Sequence, residues 1–274
     1  MKGQTVKKVI LTNLRRTLPL SITRGSCSLN CKHCGRHYLK KMMWIENISL
    51  DMLDGKYDSF LVSGGLNGKL RVPIENFMDK IIALKGFGYK LNFHVGIVKS
   101  EDNLEFLKYA DAVSLDFVGD SEVVSEVYGA KISVKDYLDT IENVRKYLEP
   151  SVHLTIGLQC GKITHEYRSL EILKELGLKK LILNVFIPTS GTAYQNCFPP
   201  EFNDVKQIFQ KARLYFPKLI LGCMQPRGLY RTTLQKLALD IGFDIITKPI
   251  PKTYSYISEL GYEFSDSQEC CALI

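Results

Sequence analysis

Eight short, apolar, β-branched segments recur along the chain with helical patterns between them, and this alternation constrains the fold more than any other feature. The strand candidates are residues 18–23, 58–63, 90–95, 112–117, 152–158, 180–186, 219–223 and 243–248. Between them, segments such as 73–86, 102–110, 134–148, 165–177, 202–216 and 231–242 repeat apolar residues at helical spacing. Gly86, Gly177 and Gly242 stand where helix C-caps are expected. Repeated β-then-α units imply a parallel sheet, and eight of them predict an α/β fold, a closed (β/α)8 TIM-type barrel over residues 1–249. Residues 250–274 fall outside the eight units and read as a C-terminal extension. No linker or low-complexity segment divides the chain.

With 274 residues, 45% hydrophobic, the chain is long enough for one such barrel. No run approaches the ~20 apolar residues that would span a bilayer. The opening residues carry positive charge without an apolar core ahead of a cleavage site, so a cytoplasmic protein without membrane partners is expected. The net charge of +7 is mild. Two basic clusters, Lys7, Lys8, Arg15 and Arg16, then Arg36, Lys40 and Lys41, read as solvated faces or as a surface for an acidic partner. Nothing resembles a nucleic-acid-binding signature.

Barrel enzymes build their sites from the loops that follow each strand. After the first strand candidate comes TRGSCSLNCKHCGRHY, in which Cys27, Cys31 and Cys34 have C-x3-C-x2-C spacing. One loop can therefore present three thiolates to one metal centre, and soft thiolates suit an iron–sulfur cluster or zinc. Zinc would take a fourth ligand, with His33 or His37 at hand. A three-thiolate cluster instead leaves one iron open for chemistry. Two other strand ends carry glycine or carboxylate groups suited to a ligand: Ser63-Gly64-Gly65 and Asp116 in VSLDF.

The cysteine loop resembles that of the radical S-adenosylmethionine (SAM) superfamily, with His33 where an aromatic residue often precedes the third cysteine. The resemblance covers nearly the whole chain and is strongest over residues 21–38, 184–194 and 221–249. It implies a 4Fe-4S cluster on Cys27, Cys31 and Cys34 whose open iron binds SAM, which is then cleaved to methionine and a 5'-deoxyadenosyl radical. By the same resemblance, Ser63, Gly64 and Gly65 hold the SAM amino group and Ser114 and Asp116 meet its ribose or carboxylate. Ile156 and Gly157 pack beside adenine, and Pro188, with Gly191 and Thr192, lies near SAM and substrate.

Within the superfamily, the Gly-Cys-Met-x-Pro segment at 222–226 is similar to biotin-synthase-like proteins. The auxiliary-cluster positions of biotin synthase are Gly96, Asp116 and Pro188 here, and residues 1–26 lack the cysteines of bacterial lipoyl synthase. The pattern looks most like the two-component lipoyl synthases of archaea and some bacteria. That implies sulfur insertion into a protein-bound octanoyl chain, a paired radical SAM component, and a low-potential electron donor such as ferredoxin. A second iron–sulfur cluster would supply the sulfur, with Cys160, Cys223, Cys270 and Cys271 as its candidate ligands and the last two folded back over the barrel mouth. The competing readings are a radical SAM methylase or cofactor-maturation enzyme without a sulfur donor, and a non-catalytic zinc protein.

Overall fold

The computed structural model describes residues 7–49, 53 and 55–274. Its strands and helices alternate as β1 (Lys8–Thr12), β2 (Thr17–Ser21), β3 (Met43–Trp44), β4 (Ser59–Ser63), α1 (Met78–Gly86), β5 (Lys90–His94) and β6 (Ala112–Asp116). They continue with α2 (Ser121–Tyr128), α3 (Val134–Arg145), β7 (Ser151–Ile156), α4 (Glu166–Glu175), β8 (Lys180–Val185), α5 (Phe202–Tyr215) and β9 (Lys218–Leu221). The last are α6 (Leu229–Ile241), β10 (Ile245–Thr247), α7 (Pro251–Glu259) and β11 (Glu263–Ser267).

The eight strands expected from the sequence are β2 and β4 to β10, each within two or three residues of its expected bounds. With β1, β3 and β11 they form one eleven-stranded parallel sheet in the order β11-β1-β10-β9-β8-β7-β6-β5-β4-β2-β3. The sheet curls as a barrel of this class does, but it stays open. Its edges are β3 and β11, and β1 and β2 lie on opposite sides of the gap instead of closing an eight-strand ring. Residues from 250 on continue the alternation: α7 packs on α6, and β11 pairs with β1 from Lys8↔Glu263 to Thr12↔Ser267.

Local chemistry sets the helix ends. Ser133 and Asp136 form a reciprocal capping box on α3, and the Asp120 carboxylate accepts from the N–H groups of Glu122 and Val123 to start α2. Gly242 ends α6 at φ +97°, a left-handed conformation natural to glycine. Gly86 is the last residue of α1 instead of its cap.

Alternation along each strand sorts side chains between two faces. Leu91, Phe93, Leu115, Val152, Leu154, Ile156, Leu181, Leu183, Leu219 and Leu221 face the helices and are almost wholly buried. The opposite positions line a lumen. At its lower end, where the strands begin, Ala112, Ile182, Ile220 and Ile245 pack against Cys271 and Ala272 of the C-terminal segment. That segment is tied to the first residues of strands: Cys270 N–H donates to Thr17 Oγ1, Lys180 Nζ to the Ala272 carbonyl and Lys218 Nζ to the Ile274 carbonyl. The barrel floor is therefore built by residues 270–274.

Candidate active site

The cysteine loop leaves β2 at the upper, C-terminal end of the sheet. It is held from three sides. Ser28 N–H donates to the Leu66 carbonyl (2.8 Å), Lys32 N–H to the Val127 carbonyl (2.8 Å), and Tyr194 N–H to the Lys32 carbonyl (3.1 Å). The Tyr38 hydroxyl meets Thr189 Oγ1 at 2.9 Å in the loop after β8. Backbone N–H groups also turn toward the sulfurs: those of Leu29 and Leu66 lie 3.4 and 3.3 Å from Cys27 Sγ, and those of Arg36, His37 and Tyr38 reach Cys34.

These donors favour thiolates. Burial, then the neighbouring Cys34 and Cys27, pushes the Cys31 thiol up to about 12, and burial raises Cys34 as well. Three crowded thiols resist ionising together, and a cationic iron centre removes that penalty. The donor set thus fits an iron–sulfur cluster. Among the described residues no three ligands are drawn together as one metal ion would need.

Ser63, Gly64 and Gly65 end β4 directly behind this loop. Gly65 N–H donates to Thr23 Oγ1 (2.7 Å). A Cβ on Gly65 would lie 1.9 Å from the Ser26 carbonyl oxygen, and one on Gly64 would lie 2.9 Å from Thr23 Oγ1. The close approach of the cysteine loop leaves no room for a side chain at Gly65 and little at Gly64.

Below the loop, Asp116 points into the lumen from the end of β6 with 47% of its side-chain surface open, 3.4 Å from His94 Nε2. Burial works to raise the Asp116 carboxyl, but the hydrogen bond and charge of His94, with His153 and His33 beyond it, hold it down at about 2. Burial likewise opposes the charge on His94, and the Asp116 carboxylate outweighs it and raises the imidazole. His33 and His153 have no such partner at contact distance; burial lowers both to about 4, and their Nδ1 atoms are unpartnered among the described residues. His94 and His153 were not singled out from sequence. The available signal was a polar residue at a lumen-facing position of the apolar strands KLNFH and SVHLTI.

Other expected positions fall elsewhere. Ser114 is buried beneath Asp116 and donates to Asn92 Oδ1 (3.0 Å). Ile156 faces the helical layer and is fully buried. Gly157 N–H donates to Glu166 Oε1 (2.7 Å), and its α-carbon packs on Pro200. Pro188 is half-buried in the loop after β8 that Tyr38 reaches through Thr189.

The four candidate auxiliary cysteines are divided. Cys160 forms a disulfide with Cys197 between the loops after β7 and β8, which removes it as a ligand. Cys270 and Cys271 do not cover the mouth; they enter the lumen from the floor. There the Asn92 amide donates to Cys270 Sγ (3.5 Å), and Cys270 and Cys271 lie within electrostatic reach of Cys223 at the end of β9. A hydrogen bond from Cys271 lowers Cys270 to about 7 against the effect of burial, while Cys271 is raised.

No family model matches the chain. It is 24% identical over 255 residues to a biotin synthase of Saccharopolyspora erythraea, covering 87% of this chain and 68% of that protein. Methylornithine synthase (PylB) shares the fold with a TM-score of 0.58 at 15% identity, over 89% of this chain and 73% of the other. Streptococcus suis SuiB, solved with S-adenosylmethionine bound, gives 0.52 at 11% identity over 93% of this chain and 58% of its own. No helix among the described residues is long and apolar enough to cross a membrane.

Proposed function

We propose that the chain is a radical SAM enzyme that inserts sulfur into an unactivated C–H position, with a second iron–sulfur cluster in its lumen as the donor. The similarity to a biotin synthase and the fold shared with methylornithine synthase and SuiB support the radical SAM reading. The observation that carries the sulfur step is the placing of two thiol groups along one lumen. Cys27, Cys31 and Cys34 sit at the mouth, Cys270 and Cys271 rise from the floor, and Cys223 after β9 is within electrostatic reach of both Cys270 and Cys271. Asp116 is within electrostatic reach of Cys31 and of Cys223.

When bound, the cluster and SAM supply one-electron chemistry strong enough to take hydrogen from an unactivated carbon, which acid–base side chains cannot do. The chain's own residues position and shield. The loop fixes three cysteines by backbone hydrogen bonds, and the C-terminal segment closes the floor of the lumen. Asp116 remains ionised as a fixed acceptor in the lumen wall, and its carboxylate favours the charged form of His94 against burial. The hydrogen bond from Cys271 lowers the Cys270 thiol, which makes it the readier of the two to ionise and ligate iron. The finer reading is one component of a two-component lipoyl synthase. It acts on a protein-bound octanoyl chain, with a paired radical SAM component and a low-potential electron donor.

A second reading, a radical SAM enzyme without a sulfur donor, is favoured by the polar lumen wall of His94, Asp116 and His153, which suits a polar substrate better than an acyl chain. Iron and sulfide analysis separates the two. The variant with Cys27, Cys31 and Cys34 all replaced by alanine should still hold iron and sulfide after anaerobic reconstitution. Adding Cys270→Ala and Cys271→Ala should remove most of it. An iron-free triple variant, with wild type holding roughly four irons per chain as one cluster requires, rejects the sulfur donor in favour of the second reading.

A further inference from the structure

We propose that the outer face of the cysteine loop is the docking surface for an acidic one-electron carrier protein of ferredoxin type. The proposal rests on the radical SAM reading and adds the place where the electron enters. Residues 23–41 contain Arg24, Lys32, Arg36, Lys40 and Lys41 and not one Asp or Glu. The whole chain carries 36 basic and 29 acidic residues, so this stretch is a local segregation of charge that the mild overall excess does not explain. The neighbouring turn, whose Leu66 and Asn67 carbonyls accept from Ser28, adds Lys69 and again no acid over residues 64–70.

Arg24, Arg36, Lys40, Lys41 and Lys69 are all exposed. Of the loop's cations only Lys32 has a carboxylate partner among the described residues, Glu126 at 3.5 Å. Unpaired like charges crowded on one face repel one another and add nothing to folding. They do steer and orient an oppositely charged protein.

The patch is fastened to the thiols. The backbone of Arg36, His37 and Tyr38 hydrogen-bonds to the Cys34 sulfur, and Lys40 and Lys41 end the single 3-10 turn Tyr38–Lys41 that follows. A protein seated on these side chains is therefore a few residues from Cys34. The rings on which a single-stranded nucleic acid would stack are engaged within the patch: Trp44 lies against Arg24 and Phe77, and Tyr38 against His37. A protein carrier suits the face better than nucleic acid. Each turnover oxidises the carrier by one electron. The sulfonium of bound SAM takes up that electron, and one carbon–sulfur bond breaks to give a neutral thioether and a carbon radical.

The test uses the reconstituted full chain, a plant-type [2Fe-2S] ferredoxin as probe, and the variant Lys40→Glu/Lys41→Glu/Lys69→Glu. Ferredoxin binding, followed by fluorescence titration, should weaken as salt rises in the wild type and should be at least tenfold weaker in the variant. SAM cleavage driven by limiting reduced ferredoxin should slow accordingly, while cleavage driven by dithionite stays at the wild-type rate. Equal ferredoxin affinity in the two proteins overturns the proposal. So does an equal loss of dithionite-driven cleavage, which would mean the cations serve the cluster. Salt-sensitive binding of a tRNA pool without ferredoxin binding also overturns it, in favour of a nucleic-acid surface. A wild type that binds ferredoxin but cleaves no SAM with dithionite sinks the radical SAM reading instead.

Discussion

Gly65 is the residue whose backbone does most to place Cys27. A Cβ there would sit 1.9 Å from the Ser26 carbonyl oxygen and 2.5 Å from Cys27 Cβ, so Gly65→Ala must displace the loop. Reconstituted Gly65→Ala should bind less than half the wild-type iron with unchanged far-ultraviolet circular dichroism; full iron loading would show that the loop adapts freely. The His94–Asp116 pair makes a second residue-scale prediction. Asp116 titrates at about 2 in the fold, against ~4 unfolded. Its stabilising contribution is therefore present above ~4 and is lost as pH falls through about 2. His94 is shifted upward, so its contribution is complete below ~6.5 and is lost as pH rises through its folded value. His153 runs the other way: burial holds it at about 4, so stability falls as it is forced to protonate in acid. Asp116→Asn should leave burial alone to govern His94, whose ring titration by NMR should move from above the ordinary imidazole value to below it. An unmoved titration would mean that the pair does not form. The three cysteines were legible in sequence because one short loop carries them. His94 and His153 were not, because they meet Asp116 only through the curvature of three separate strands.

At the level of elements, the strands read from sequence are those with apolar residues to bury on the helical face. The ones missed lack that signal. β3 is two residues long, and β11, EFSDS, is exposed along nearly its whole length and joins the sheet only through β1. β1, KVILT, is apolar enough, but it sits across the gap from β2 and belongs to no β/α repeat. The tail was the hardest element to place. Its cysteine pair is expected over the barrel mouth, yet Cys271 and Ala272 are 3% and 4% exposed against Ile182, Ile220 and Ile245 at the floor. Ala272→Glu would put a carboxylate among those isoleucines, where the space is apolar. The cost should be at least ~2 kcal/mol in urea unfolding, the scale of an uncompensated buried polar group. A loss below ~0.5 kcal/mol, ordinary for a surface position, would place the tail outside the barrel.

Across the whole molecule, topology sorts eight cysteines into three sets: the loop trio, the rim disulfide Cys160–Cys197, and the lumen trio Cys223, Cys270 and Cys271. Sequence spacing alone could not make this division, because Cys160 and Cys223 both end strands. Cys160 leaves β7 toward the loop that carries Cys197, whereas Cys223, after β9, lies within electrostatic reach of Cys270 and Asp116. The partition makes one joint prediction with opposite outcomes for its two sets. Cys160→Ser/Cys197→Ser should lower the stability of the oxidised protein by about 3–4 kcal/mol, the chain-entropy value for a cross-link of this span, and leave iron content unchanged. Wild type treated with a thiol reductant should then match the double variant in stability, which separates the cross-link from the packing of the two side chains. Cys223→Ser should do the reverse, changing stability little while lowering iron retained in the background where Cys27, Cys31 and Cys34 are already alanine. Iron lost from Cys160→Ser/Cys197→Ser in that background would return the rim pair to the list of ligands, and the division of the cysteines would have to be redrawn.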